Sequence, residues 1–192
     1  MKIGLVRHFK VDYKDYNPFY FPDEYDAAIK GYDEADVILK EIHLDGIDWE
    51  ICFSSSFSRA IKTAEYIYKK KIIKTELLRE VNLKAFTTKR IKLPSFVWHI
   101  GARISWSVNG KSQPETKEAT EIRIRKIYAM IRNSEKENVL VVSHGFFMKC
   151  FASFLIREGY NGKIDPVPHN GKLYVFQKER DLNENKMFMG QQ

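Results

Sequence analysis

Cysteine is scarce in this chain, with two residues, Cys52 and Cys150, in 192. Both sit in apolar surroundings and match no metal-ligand spacing. They are therefore read as free core thiols, not as a disulfide or a zinc site. Long apolar runs are missing too: no stretch approaches the roughly 18 residues that span a bilayer. The first residues, Met1-Lys2-Ile3-Gly4-Leu5-Val6-Arg7, are too short and too soon charged for a signal peptide, so cytoplasmic residence is expected. There is no internal repeat and no linker, and the length fits one domain, 1–192, with a substantial core.

What the chain does have is charge and aromatic bulk. It is 44% hydrophobic and 30% charged, the range of soluble globular proteins. Its net charge is +7, which suits either a nucleic acid or an anionic substrate. The lysines are widely spread, however. The one clear run, Lys69-Lys70-Lys71, falls at the expected end of a helix, where it complements the helix dipole. Neither a nucleic acid nor a membrane is expected as a partner. Aromatic residues make up 14% of the chain, and most belong in a core.

Apolar runs and periodicities alternate along the chain. Residues 2–7 read as a buried strand, and 9–23 as a loop over the sheet edge. From Asp23 to about His43 the apolar residues keep helical spacing, through Tyr25, Ala28, Ile29, Tyr32, Ala35, Ile38, Leu39 and Ile42. Trp49–Phe53 reads as a second strand. Ser54-Ser55-Ser56 offers N-cap oxygens to a helix bearing Phe57, Ala60, Ile61, Ala64, Ile67 and Tyr68. A short edge strand is expected at 72–75. A weakly periodic stretch at about 85–112 reads as an insertion covering a site. A helix from Glu115 to Ser134 turns Ala119, Ile122, Ile127, Met130 and Ile131 inward. Strand Asn138–Ser143, helix Gly145–Glu158, strand Leu173–Phe176 and a polar, frayed tail at 181–192 complete the pattern. Alternating strands and helices predict a three-layer α/β/α sandwich with a mostly parallel central sheet.

Two of these strands end on histidine, at Val6-Arg7-His8 and Val142-Ser143-His144-Gly145. Open α/β sheets place their ligands at the strand ends. Two histidines and an arginine at one sheet edge form a compact cationic pocket suited to phosphate. Neutral imidazole is also a competent nucleophile near neutral pH. Arg59 falls in the first turn of a helix, where a cation is mildly unfavourable. An anion beside it would explain that placement; an ordinary surface arginine fits the local pattern equally well.

Four segments together carry a resemblance: Leu5-Val6-Arg7-His8, Ser54–Ala64 with its serine-rich turn, Arg59 and Thr63-Ala64, then Leu78-Arg79-Glu80, and Val142-Ser143-His144-Gly145. In this order and spacing the chain resembles the histidine phosphatase superfamily, the phosphoglycerate mutase-like proteins, and within it the compact phosphatase branch. The resemblance implies that His8 attacks phosphorus and becomes a phosphohistidine. Arg7, Arg59 and His144 would surround the phosphoryl group, and the amide of Gly145 would help hold it. Glu80 would protonate the leaving oxygen and later take a proton from water. Glu76, nearby and also acidic, is the rival for that role. The expected activity is metal-independent hydrolysis of phosphomonoesters with no cofactor, on a phosphorylated small molecule or a phosphoprotein. The alternatives are a phosphoglycerate mutase-type phosphotransferase and a non-catalytic phosphate-binding module.

The chain also departs from the pattern. Phe9 stands where the family has glycine, Lys10 where an acidic or polar residue follows, and Lys14 where many members have asparagine. Lys10 and Lys14 either replace the lost phosphate contacts or are simply solvated. His43, His99 and His169 match nothing catalytic. His169 precedes the turn signal Asn170-Gly171 and is read as structural, while His99 lies in the insertion, where it could touch a substrate. Oligomeric state and physiological substrate are not legible.

Overall fold

The computed structural model describes residues 1–14 and 17–179. The polar tail expected at 181–192 lies outside the described residues. Strand β1 (Lys2–Arg7) leads into an irregular segment and the two-residue strand β2 (Phe19–Tyr20). Helix α1 (Pro22–Glu34), strand β3 (Ile51–Ser55), helix α2 (Ser58–Ile67) and strand β4 (Ile72–Thr75) follow. A 3-10 turn at Glu76–Leu78 precedes strand β5 (Leu93–Pro94) and helices α3 (Ser95–Ser107) and α4 (Lys117–Asn133). Strand β6 (Asn138–Ser143), helix α5 (Gly145–Arg157) and strands β7 (Asn161–Gly162) and β8 (Leu173–Gln177) complete the described chain.

Six strands form one sheet in the order β4-β3-β6-β1-β8-β7. The four strands from β4 to β1 run parallel, and β8 and β7 are added antiparallel. Alternation along β1 decides the layers. Ile3 and Leu5 join the core that holds Ile124, Ile127 and Ile131 of α4 and Phe147, Phe151 and Phe154 of α5. Val6 faces the opposite core, with Ala60 and Ala64 of α2 and the buried Trp49. The result is the expected mostly parallel sheet between helical layers. Cys52 is buried, Cys150 is half-buried, and both are free thiols. Among the described residues no helix is long and apolar enough to cross a membrane.

Several expectations need correction. Helix α1 stops at Glu34 and does not continue to His43. The backbone beyond it bonds instead to the segment after β1: Asp12 N–H donates to Asp36 O, and Ile38 N–H to Lys10 O. Those bonds replace the helical ladder and leave Ile38 and Leu39 exposed. The three serines do not cap α2, whose N-cap is Phe57 without a side-chain bond. On α4, Ile122 and Met130 face solvent, while Ile124 is buried.

The 85–112 stretch is more ordered than its pattern suggests. It carries β5 and the 13-residue helix α3. Trp98 of α3 packs with Tyr20 and Tyr25 in a separate cluster that also takes in Ala28 and Ile29 of α1. The Trp98 indole N–H donates to Tyr20 O at 2.9 Å, and β2 pairs with β5. The covering structure is therefore made of two sequence segments, α1 with β2, and the stretch around α3.

Candidate active site

Parallel pairing brings the chemistry to one sheet edge. The β1–β6 register sets Arg7 opposite Ser143, so the next residues, His8 and His144, emerge side by side. Their ring centroids are 5.0 Å apart. Strand β3 ends beside β6 and contributes Ser55, and the turn after β4 leads to Glu80. A cavity of about 1030 Å³ opens at this edge, and Arg7, His8, Arg59, Glu80 and Gly145 all lie on its wall.

The backbone at the first histidine is completely bonded. Gly171 N–H donates to Arg7 O, and His8 N–H donates to Ser143 O. The Asn170 side-chain amide donates to His8 O at 2.7 Å, and Phe9 N–H donates to the Thr63 hydroxyl at 2.9 Å. The Asn170-Gly171 turn thus clamps the strand end, with Gly171 at φ +67°. Its bare Cα also leaves room for Phe9, since a Cβ there would lie 3.0 Å from that ring.

His8 Nδ1 lies 2.7 Å from Phe9 O. A carbonyl only accepts, so Nδ1 carries the proton and Nε2 keeps its lone pair. Burial, reinforced by Arg59 and Arg7, lowers the His8 pKa to about 3. The ring is therefore neutral at physiological pH.

Arg59 is buried. Its Nε donates to His144 Nδ1 at 3.2 Å. Its Nη1 reaches the Asp33 carboxylate at 2.9 Å. The guanidinium lies against the Phe57 and Tyr32 rings, at 4.8 and 5.4 Å from their centroids. Arg7 Nη1 donates to Pro168 O at 2.7 Å, and Arg7 Nε is buried with no hydrogen-bond partner. Neither Nη2 is engaged by a described residue, so both forks keep donors for an anion. Gly145 packs closely beside Arg7, since a Cβ there would lie 3.2 Å from the guanidinium carbon.

His144 is placed differently from expectation. It is fully buried and does not reach the cavity wall. Its Nδ1 accepts from Arg59, so its Nε2 carries the proton, 2.8 Å from the Ser55 hydroxyl. Both nitrogens hold protein groups. Burial first, then His8, Arg59 and Arg7, holds its pKa well below the ordinary value.

Glu80 sits on the N-terminus of α5. Oε1 accepts from Val81 and Phe147 N–H, and Oε2 from Phe146 N–H. The Gly145 amide, the first of that helix, is left for another acceptor. Glu76, the rival, is paired with Arg79 and lies off the cavity wall.

Neither Lys10 nor Lys14 lines the cavity, and both are exposed. Phe9 does not line it either: its buried ring packs edge-on against Tyr66. Four residues at the site carried no assigned role in the sequence. Thr63 and Ser55 lay inside noted motifs. Asp33 and Arg103 had no local signal, because each comes from the cover. Burial pushes the Asp33 carboxyl up, against the pull of Arg59.

Two histidines and two arginines thus meet at the edge of the mostly parallel sheet of an α/β protein. The chain matches the histidine phosphatase superfamily (branch 1) over residues 3–187 and belongs to that family. A relative from Hydrogenobacter thermophilus, named "Putative phosphoserine phosphatase 2", is 26% identical over 151 residues, 75% of this chain and 73% of its own length. Two solved structures share the fold. The alpha-ribazole phosphatase from Shigella flexneri has a TM-score of 0.51 at 15% identity, covering 91% of this chain and 96% of its own. The product of an open reading frame of Mycobacterium tuberculosis has a TM-score of 0.53 at 14% identity, covering 93% and 91%.

Two outcomes are expected. Phe9→Gly, which restores the family residue, empties a packed site and lowers stability by about 3–5 kcal/mol in urea unfolding. A neutral effect would show that the ring is not packed. The second concerns pH. Unfolded, His8 takes up its proton near 6.5; folded, only near about 3. Between these values the unfolded chain holds the extra proton, so the neutral ring's contribution is complete above pH 6.5 and is lost as pH falls towards 3. From pH 6.5 to 4.5 the wild type should lose roughly 2 kcal/mol more stability than His8→Gln. Equal losses would mean that His8 titrates normally.

Proposed function

We propose that this protein hydrolyses phosphomonoesters without a metal ion, through a phosphohistidine at Nε2 of His8. The observation that carries this reading is the buried, neutral His8, with Nδ1–H held by Phe9 O and Nε2 free, beside two arginines with unspent donors. A phosphate monoester is largely dianionic near pH 7. A neutral imidazole meets it without the repulsion an anionic nucleophile would feel.

In the first step the Nε2 lone pair attacks phosphorus and the ester P–O bond breaks. The leaving oxygen takes a proton from the Glu80 carboxyl. Oε2, with one main-chain donor against two on Oε1, is the oxygen better placed to carry it. The phosphorylated ring is cationic, and Nδ1–H stays bonded to Phe9 O. In the second step water attacks phosphorus, Glu80 takes the water proton, the P–N bond breaks, and inorganic phosphate leaves. Arg7 and Arg59 stabilise charge on the transferring group through their remaining donors, and the Gly145 amide adds a helix N-terminal contact. We assign His144 a positioning role, orienting Arg59 through its Nε. Asp33 is the anion that the phosphate competes with for Arg59.

A phosphorylated small molecule or phosphoprotein, not a nucleic acid, is the proposed partner. Three surface lysines are paired locally, Lys62 with Asp36, Lys70 with Asp48 and Lys74 with Glu65.

Hydrolysis of p-nitrophenyl phosphate in excess EDTA should persist in the wild type and vanish in His8→Ala. Activity abolished by EDTA, or surviving in His8→Ala, would overturn the mechanism. Glu80→Gln should slow alkyl phosphates far more than aryl phosphates, whose leaving groups need less protonation. Equal slowing would remove Glu80 as the acid.

A further inference from the structure

The cavity is far larger than the reaction needs. At about 1030 Å³ it stands at the top of the range that encloses drug-sized ligands. A phosphate with a phosphorylated amino acid's side chain occupies only a fraction of it. The excess volume lies against the cover, where much of the lining is apolar, beside Ser95, His99, Arg103 and Ser107 of α3 on the same wall.

Helix α3 explains how this wall is built. Trp98, Ala102 and Trp106 form a stripe at four-residue spacing, and all three are buried. Phe96, Ile100, Ile104 and Val108 form a second stripe at the same spacing, displaced by two residues. Two residues turn a helix by about 200°, so the second stripe lies on the opposite face. Its members are 56% to 71% exposed. A helix with a solvated outer face carries polar residues there, and this one carries isoleucines. Ile100 and Ile104 are also part of the cavity wall, together with Ala28, Ile29, Leu83 and Val167. The exposed stripe is therefore continuous with the interior of the site.

Beyond the phosphoryl end, the cations on the same wall among the described residues are Arg103 and Lys149. Arg103 Nη1 donates to Val81 O at 3.1 Å, and its guanidinium lies 3.7 Å from the Phe146 ring centroid. Lys149 is the one lysine among the described residues that line the cavity.

We propose that the group esterified to phosphate is a predominantly apolar body, an extended alkyl chain or a multi-ring aryl group, seated against the Ile100–Ile104 face of α3. This rests on the phosphatase reading and names the substrate class for that site. The phosphoryl group occupies the Arg7–His8–Arg59 end, and the apolar body fills the volume under the cover. Its burial provides remote binding energy for the transition state as well as for the ground state.

The test is a series of straight-chain monoalkyl phosphates, methyl to octyl, kept below their micelle concentrations and assayed by phosphate release with the full chain. The leaving groups differ little in basicity beyond the shortest members, so chain length isolates the contact. The expected result is a rise in kcat/KM of about two- to fourfold per methylene until the cavity is filled. Octyl phosphate should far exceed phosphoserine and 3-phosphoglycerate. In the double variant Ile100→Asp, Ile104→Asp, at positions already exposed, the octyl-to-methyl ratio should collapse, with melting temperature confirming the fold. A flat series, or preference for phosphoserine or 3-phosphoglycerate, would overturn this inference while leaving phosphatase activity in place. No turnover of any monoester, p-nitrophenyl phosphate included, would overturn both.

Discussion

The site depends on the register of two parallel strands. Because β1 pairs with β6 so that Arg7 faces Ser143, His8 and His144 leave the sheet at the same height. His8 N–H then continues the ladder by donating to Ser143 O at 3.0 Å. A slip of one residue would send every β1 side chain to the other face. Ile3 and Leu5 would leave the α4–α5 core, and the Arg7 guanidinium would leave its place against Gly145. Burial of the two faces and assembly of the site are thus secured by one pairing.

Electrostatics follow from that placement. Two arginines beside two buried histidines tolerate only neutral rings. Each ring's tautomer is then set by what its other nitrogen meets, a carbonyl for His8 and a guanidinium for His144. The carbonyl leaves His8 with a free lone pair directed away from Phe9 O. The guanidinium uses His144 to aim Arg59. Identical residue types, delivered by equivalent strand ends, thereby take unlike parts. Glu80 is held in turn by α5, which begins directly after His144, so the same strand end that delivers the second histidine also orients the carboxylate.

The cover obeys different rules from the sheet. Its small core of Tyr20, Tyr25 and Trp98 is separate from the two cores that flank the strands. It reaches the phosphoryl end through Asp33 of α1, which pairs with Arg59, and the apolar end through α3. One layer therefore bears on both ends of the cavity, and a change in the cover can reshape the cavity without disturbing the strand ends that bear His8 and His144.

Much of this was legible in the chain itself. The strands β1 and β6, the edge strand at 72–75 and the helix after His144 follow from local apolar runs, because a buried parallel strand must be apolar along its length. The residues Arg7, His8, Arg59, Glu80 and Gly145 were identifiable from motifs at those strand ends. Other features were not. Helix α3 was hidden because its two apolar stripes on opposite faces cancel the single-face signal that marks an amphipathic helix. The continuation of α1 to His43 was a false period, overridden by backbone bonds to residues 10–12 that no local pattern encodes. The burial of His144 behind Arg59, the packing of Phe9 away from the cavity and the arrival of Asp33 from α1 all depend on segments distant in sequence. Strand identity and the residue types at the strand ends are local chemistry, which the sequence alone determines. Tautomers, the partners of each arginine and the size and lining of the cavity are set by which surfaces meet, and only the tertiary structure decided them.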